Sequence, residues 1–141
     1  MKGRKRHIFV DTLGLLLGVA VTAASVQDPD GAMALLAALR HHFSRLRLLW
    51  ADQAYRGDLS AWLWELRPWR KVRLEIVKRP EGTKGFLLLP KRWIVERTFA
   101  WLGRYRRLSK DYEFSTETSE AMIRVAMIHL MVRRLARLVS Y

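Results

Sequence analysis

The period of the apolar positions changes several times along the chain, and the order of those changes predicts the order of elements. His7 to Val10 and Leu15 to Ala24 read as two strands joined at Asp11-Thr12-Leu13-Gly14, a hairpin with Gly14 in its turn. The second of these is apolar on both faces, as an interior strand is. Asp28-Pro29-Asp30-Gly31 opens a helix, with Asp28 as N-cap and Pro29 at the first helical position. Ala32, Leu35, Leu36, Leu39 and Phe43 form its apolar stripe, so the helix is expected to reach Phe43. Leu46 to Ala51 is a nearly continuous apolar run that suits a buried strand ending at Asp52. A short helix from Leu59 to Leu66 follows Gly57 and is stopped by Pro68.

Val72, Leu74 and Ile76 then alternate with Arg73 and Glu75, the pattern of a half-buried strand. Pro80-Glu81-Gly82 reads as a loop, and Phe86 to Leu89 as extended chain before Pro90. One long helix is expected from Lys91 to Leu108. A last helix runs from Glu117 to Leu138, behind the cap-forming Ser115, Thr116, Thr118 and Ser119. Strands alternating with helices in this way imply a layered α/β fold around a mixed sheet.

Composition adds a partner class. Of 141 residues, half are apolar, enough for a real core, while 26 Lys and Arg against 13 Asp and Glu give a net charge of +13. That excess predicts affinity for a polyanion, nucleic acid before an anionic membrane surface. The chain has no cysteine, which excludes disulfides and thiolate metal sites and fits a reducing cytoplasm. The basic segment Met1–His7 followed by the uncharged Leu13–Val26 imitates a secretory signal peptide. Asp11 falls between the two and argues against that reading, and the run is too short to span a bilayer.

Two acids and one basic run are the candidates for chemistry. Asp52 ends an apolar strand in Leu49-Trp50-Ala51-Asp52-Gln53-Ala54-Tyr55-Arg56-Gly57. Open α/β sheets bind ligands at strand carboxyl ends, where a carboxylate can hold a divalent cation; a turn or helix-capping aspartate is the competing role. Glu96 lies on a helix opposite the apolar arc of Ile94, Val95, Thr98, Trp101, Leu102 and Tyr105. Arg92, Ala100, Gly103 and Arg107 are expected on its face, so an exposed Arg92–Glu96 surface pair competes with a functional role. From Lys91 to Lys110 the cations are Lys91, Arg92, Arg97, Arg104, Arg106, Arg107 and Lys110, around the single acid Glu96. A merely solvated helix face mixes signs, so contact with a nucleic-acid backbone is the stronger reading. His41 and His42 are adjacent and diverge on a helix, His129 reads as a core histidine and Asp11 as a turn residue. The tryptophans read mostly as packing residues, with Trp93 placed to stack on an unpaired base.

Several of these stretches carry a resemblance. Lys2-Gly3-Arg4-Lys5-Arg6-His7, Val10-Asp11-Thr12-Leu13-Gly14, Trp50 to Gly57, Pro90 to Trp101 and Arg106-Arg107-Leu108-Ser109-Lys110-Asp111-Tyr112-Glu113 resemble, in order, the DDE transposases of bacterial insertion sequences, nearest the insertion-sequence-five type. The resemblance implies a ribonuclease-H-like fold and an Asp, Asp, Glu site for Mg²⁺ or Mn²⁺. Residues 1–141 would be the C-terminal portion of the catalytic domain. Asp52 matches the second aspartate and Glu96 the glutamate, and Arg92 matches the arginine of a Tyr-x2-Arg-x3-Glu-x6-Lys signature. Leu89 and Gly103 depart from that signature at its tyrosine and lysine, leaving Arg104 or Arg107 to replace the lysine. The first aspartate is expected on a central strand upstream of Lys2, and no residue of this chain matches it.

The resemblance also implies partners: DNA, as element ends and target, and a homo-oligomer or the product of an upstream reading frame. It implies a cytoplasmic enzyme that cleaves DNA and transfers strands, with Lys91, Arg92, Arg97, Arg104 and Arg107 gripping phosphates. A non-catalytic DNA-binding remnant and a basic RNA-binding protein are the alternatives. The charge pattern makes one expectation direct. Raising salt from 50 to 200 mM weakens DNA binding ~100-fold if about four phosphates are neutralised. A titration that stays flat over that range would refute the basic-run argument.

Overall fold

The computed structural model describes residues 3–78, 81–82, 84–85 and 90–140, without the side chains of Pro90 and Arg92. Its elements are β1 (Arg4–Val10), β2 (Leu16–Ala23), α1 (Asp28–Leu39), β3 (Leu48–Asp52), α2 (Leu59–Glu65), β4 (Arg73–Val77), α3 (Pro90–Gly103) and α4 (Thr116–Val139). The expected extended run Phe86–Leu89 and Pro80 of the expected loop lie outside the described residues. The chain divides into two compact units, residues 1–23 with 94–141 and residues 24–93. The boundary falls within α3, and each unit holds half of the lysines and arginines.

In the first unit, β1 and β2 form the expected antiparallel hairpin, from Arg4 opposite Ala23 to Val10 opposite Leu16, with a register shift between Phe9 and Val10. Asp11 organises its turn. Its carboxylate accepts the amides of Leu13 and Leu15, both at 2.9 Å, and its carbonyl accepts that of Gly14 at 3.0 Å. This is an Asx-type turn, which satisfies backbone donors that the ladder cannot reach. The apolar run that imitates a signal peptide is therefore folded as this turn and β2. α4 crosses β2 and buries Ile123, Ala126 and Met127 against Val19, Val21, Leu102 and Leu108. Glu120 of α4 accepts the Val21 amide at 2.9 Å, so one edge donor of β2 is satisfied by a side chain.

Two helix boundaries differ from the sequence expectation. α3 ends at Gly103 rather than Leu108. Tyr105 is extended, and Arg106–Leu108 form a separate 3-10 turn that buries Leu108 in the core. The apolar period carries through the break because Leu102 and Leu108 reach one core from two elements. α1 ends at Leu39 rather than Phe43, with Gln27 at the N-cap position and Asp28 inside the first turn. The Phe43 carbonyl accepts the Leu46 amide and the Trp69 indole instead of continuing a helix. α4 begins as expected, with the Ser115 hydroxyl accepting the Thr118 amide at 3.1 Å.

In the second unit, β3 and β4 are parallel, from Leu48 opposite Arg73 to Asp52 opposite Val77, with α2 in the connection. Parallel neighbours need such a crossover. Leu35, Leu36, Leu49, Leu59, Leu63, Trp69 and Val72 are its buried apolar residues. Of the six tryptophans only Trp69 is buried; Trp64 and Trp93 are exposed, so tryptophan is less of a core residue here than its composition suggests. Among the described residues the fold is α/β with two two-stranded sheets, one antiparallel and one parallel, in place of a single mixed sheet.

Gly14 is the position where this architecture leaves no room. Its φ is +82°, and a Cβ there would lie 2.8 Å from the Thr98 hydroxyl oxygen. Gly14→Ala is expected to cost about 1–3 kcal/mol in urea unfolding, from backbone strain and that clash. Gly103, with open space around it, is the control. There Gly103→Ala should leave stability unchanged or raise it by about 0.5–1 kcal/mol, as glycine in a helix does when replaced.

Candidate functional site

The five motif stretches are local in sequence, and the structure joins four of them in pairs. The turn at Leu13-Gly14 receives α3: Arg97 Nη2 donates to the Leu13 carbonyl at 2.8 Å and the Thr98 hydroxyl to the Gly14 carbonyl at 2.6 Å. Thr98 is fully buried. The start of β1 receives the segment after α3. Arg4 reaches the Asp111 carboxylate at 3.1 Å and the carbonyls of Glu113 and Phe114 at 2.9 and 2.7 Å. Arg6 donates to the Leu108 carbonyl at 3.0 Å. Burial pushes the Asp111 carboxyl up, but donation from the Glu113 amide, Arg4 and Ser119 outweighs it and holds the group below its ordinary range. A shallow cleft beside this clamp is lined by Arg4, Arg6, Phe99, Lys110 and Asp111.

Asp52 stands where the strand pattern puts it, at the carboxyl end of β3 in a parallel pair, and is half-buried. One of its oxygens accepts the Ala54 amide at 3.3 Å and caps the short turn Gln53–Tyr55. The capping role is thus observed, and it fixes the carboxylate at the sheet end. Burial first, then the negative charges of Asp28 and Asp52, push the nearby Tyr55 hydroxyl up to about 12. Tyr55 therefore stays neutral in this acidic corner.

Glu96 is exposed on α3, away from the buried Thr98 and Leu102, as the helical wheel predicts. Arg107 is not on its face, because the helix has already ended. The basic run is consequently not one helical surface. Lys91 lies 3.7 Å from Glu75 and 4.6 Å above the Trp50 ring. Arg97 stacks on Trp101 at 4.7 Å while donating to Leu13. Arg107 pairs with Glu113 at 2.6 Å, which raises its affinity for its proton above the ordinary arginine range. Arg104 is exposed beyond the helix end. The Arg92 side chain lies outside the described residues. His129 is exposed rather than in the core, with its Nδ1 2.8 Å from the Tyr105 hydroxyl.

Sequence reasoning missed Glu75. It sits opposite Trp50 on β4 and accepts the Trp50 indole at 2.7 Å, with Arg73 at 3.2 Å and Lys91 at 3.7 Å. The indole donation, opposed by desolvation and helped by the two cations, lowers its pKa. Alternation on β4 shows Glu75 on the polar face, but its partners follow only from the β3–β4 register. Carboxylate oxygens are hard donors suited to Mg²⁺ or Mn²⁺, and Asp52 and Glu96 are of that kind. Among the described residues, however, no three His, Cys, Asp or Glu side chains gather into a group able to hold an ion. These residues alone do not make a complete metal site.

The family model described as "Transposase DDE domain" matches residues 1–131 of the chain. The chain belongs to the DDE-domain transposase family. It is 32% identical over 131 residues to a protein of Burkholderia cepacia named "Putative transposase for insertion sequence element IS402". That match covers 87% of this chain and 60% of the relative, so the chain spans about three fifths of the relative's length. No solved structure matches. Within this DDE-domain chain, no helix among the described residues is long and apolar enough to cross a membrane.

The Arg4–Asp111 clamp carries a pH expectation. A carboxyl held below its ordinary value contributes stability that is present above the usual carboxylate range and is lost as pH falls through the lowered value. Thermal unfolding of the wild type should therefore weaken relative to Asp111→Asn between about pH 5 and pH 2. Parallel melting curves for the two proteins over that range would show that the clamp is not formed in solution.

Proposed function

We propose that this chain is the part of an insertion-sequence transposase that supplies two of its three catalytic carboxylates, Asp52 and Glu96, within a ribonuclease-H-like catalytic domain. The observation that carries the reading is Asp52 at the carboxyl end of β3, inside a chain matched from residue 1 to 131 by the DDE-domain family. Strand ends of this kind fix a ligand's direction while leaving its outer side open to a substrate. The motif order supports the finer insertion-sequence-five assignment.

In this reading the substrate is DNA, as element ends and then as target. Mg²⁺ or Mn²⁺, held in part by Asp52 and Glu96, would supply charge stabilisation at the scissile phosphate. The motifs of this chain match no third carboxylate. The chain's own cations hold the duplex: Arg104, Arg92 and Lys91 neutralise phosphates, with Arg97 and Arg107 engaged first in holding the protein's own turn and Glu113. Lys91 would exchange its weak, partly exposed pairing with Glu75 for a phosphate, an exchange that costs little because such surface pairs are worth about 0–1 kcal/mol.

The second reading, a DNA-binding form without catalysis, is favoured by one observation: among the described residues no three His, Cys, Asp or Glu side chains gather into a metal-holding group. A single experiment separates the two. In the assembled transposase, Asp52→Asn and Glu96→Gln should each lower DNA cleavage at least ~1,000-fold, the equivalent of about 4 kcal/mol, and leave DNA affinity within a few-fold. Cleavage at the wild-type rate by either variant would remove that residue from the site. Binding without any cleavage by the assembled wild-type protein, with Mn²⁺ as well as Mg²⁺, would establish the non-catalytic reading.

A further inference from the structure

Asp52 shares its side of the parallel pair with Trp50 and Glu75, to which the proposed function gives no catalytic task. Side chains alternate along a strand, so Trp50 and Asp52 project to one side of β3, while the buried Leu49 and Ala51 project to the other. Glu75 stands opposite Trp50 in the register and so joins the Asp52 side. The Trp50 indole donates to Glu75 Oε2 at 2.7 Å, and Arg73 lies 3.2 Å from Oε1. Lys91 brings its ammonium to the same place, 3.7 Å from Oε2 and 4.6 Å above the Trp50 ring. All of these residues belong to the second unit.

Nothing in its own helix holds Lys91 there. It lies in the first turn of α3, where the helix dipole disfavours a cation, and no acid accompanies it in that turn. Lysine carries its charge on a flexible four-carbon stem, and an isolated exposed ion pair does not fix such a group. Here two partners restrain it at once: a carboxylate whose direction is set by the indole N–H, and the face of the same indole. Same-side residues on a strand are about 6–7 Å apart, so this cradle stands one pleat repeat along β3 from Asp52.

We infer that Glu75 is a positioning residue of the proposed site: together with Trp50 it holds the Lys91 ammonium on the Asp52 side of the sheet, where that cation meets the phosphate presented to Asp52. The inference rests on the assignment of Asp52 to the DNA-cleaving site. When Lys91 turns to a phosphate, Glu75 keeps the Trp50 and Arg73 donors, so the exchange leaves no unpaired carboxylate behind. A cation held in place before the substrate arrives raises the rate more than the affinity, because it needs no reorganisation during the reaction.

In the assembled transposase at saturating DNA, Lys91→Met should lower the cleavage rate about 100-fold. Glu75→Gln keeps an acceptor for the indole but removes the charge. It should lower the rate about 10-fold and leave DNA affinity within about 3-fold of wild type. Glu75→Asp should recover part of that loss. In the Lys91→Met background Glu75→Gln should have no further effect, since a residue that acts through Lys91 has nothing left to position. An equal loss in both backgrounds, or no loss from Glu75→Gln while Asp52→Asn is inactive, overturns the inference and leaves the Asp52 assignment standing. Cleavage by Asp52→Asn at the wild-type rate removes the site and this inference with it. A second measurement needs no cleavage. Reductive ¹³C-methylation of the full chain keeps the lysine charge. The Lys91 methyl resonance, identified by its loss in Lys91→Arg, should be shifted upfield by the Trp50 ring and return toward solvated lysines in Glu75→Gln. That variant should melt with the wild type, which separates loss of the cradle from loss of the fold. A wild-type Lys91 resonance already at the solvated position overturns the inference.

Discussion

The first unit depends on a threonine hydroxyl meeting a turn carbonyl. Asp11 uses its side chain and backbone to close the turn between β1 and β2, which leaves the carbonyls of Leu13 and Gly14 pointing outward. Thr98 and Arg97 take those carbonyls, at 2.6 and 2.8 Å. Buried carbonyls without partners are costly, so this pairing both satisfies the turn and sets the rotation of α3 about its axis. That rotation puts Thr98 and Leu102 inward and Glu96 outward. A glycine at 14 is required because α3 approaches where a Cβ would stand.

The positive charge of the chain serves two purposes that sequence alone merges. Arg4, Arg6, Arg97 and Arg107 hold carbonyls and carboxylates of their own chain. Arginine suits this work because its forked donors satisfy several acceptors at once, as Arg4 does with Asp111, Glu113 and Phe114. Arg104 lies exposed beyond the helix end. In the proposed function the exposed excess goes to DNA phosphates, while the internal pairs explain why motif arginines need not all touch them.

Asp52 shows how a structural role can be compatible with the role proposed for it. Capping the turn after β3 uses one carboxylate oxygen and fixes the direction of the group. A metal-ligand role needs that same fixed direction. The alternatives open at the level of the sequence are therefore not exclusive, and only the catalytic readout of Asp52→Asn separates them.

The sequence by itself determined the strand and helix order, the hairpin turn at Asp11–Gly14, the Ser115 cap, the outward face of Glu96 and, through its motifs, the family. Those features are local: they depend on period, capping chemistry and residue order within a few turns of chain. Tertiary structure decided what local pattern cannot encode. It ended α3 at Gly103 although the apolar period runs on, because Leu108 reaches the same core from a separate turn. It paired Glu75 with Trp50 through a strand register, and Arg4 with Asp111 across more than a hundred residues of chain.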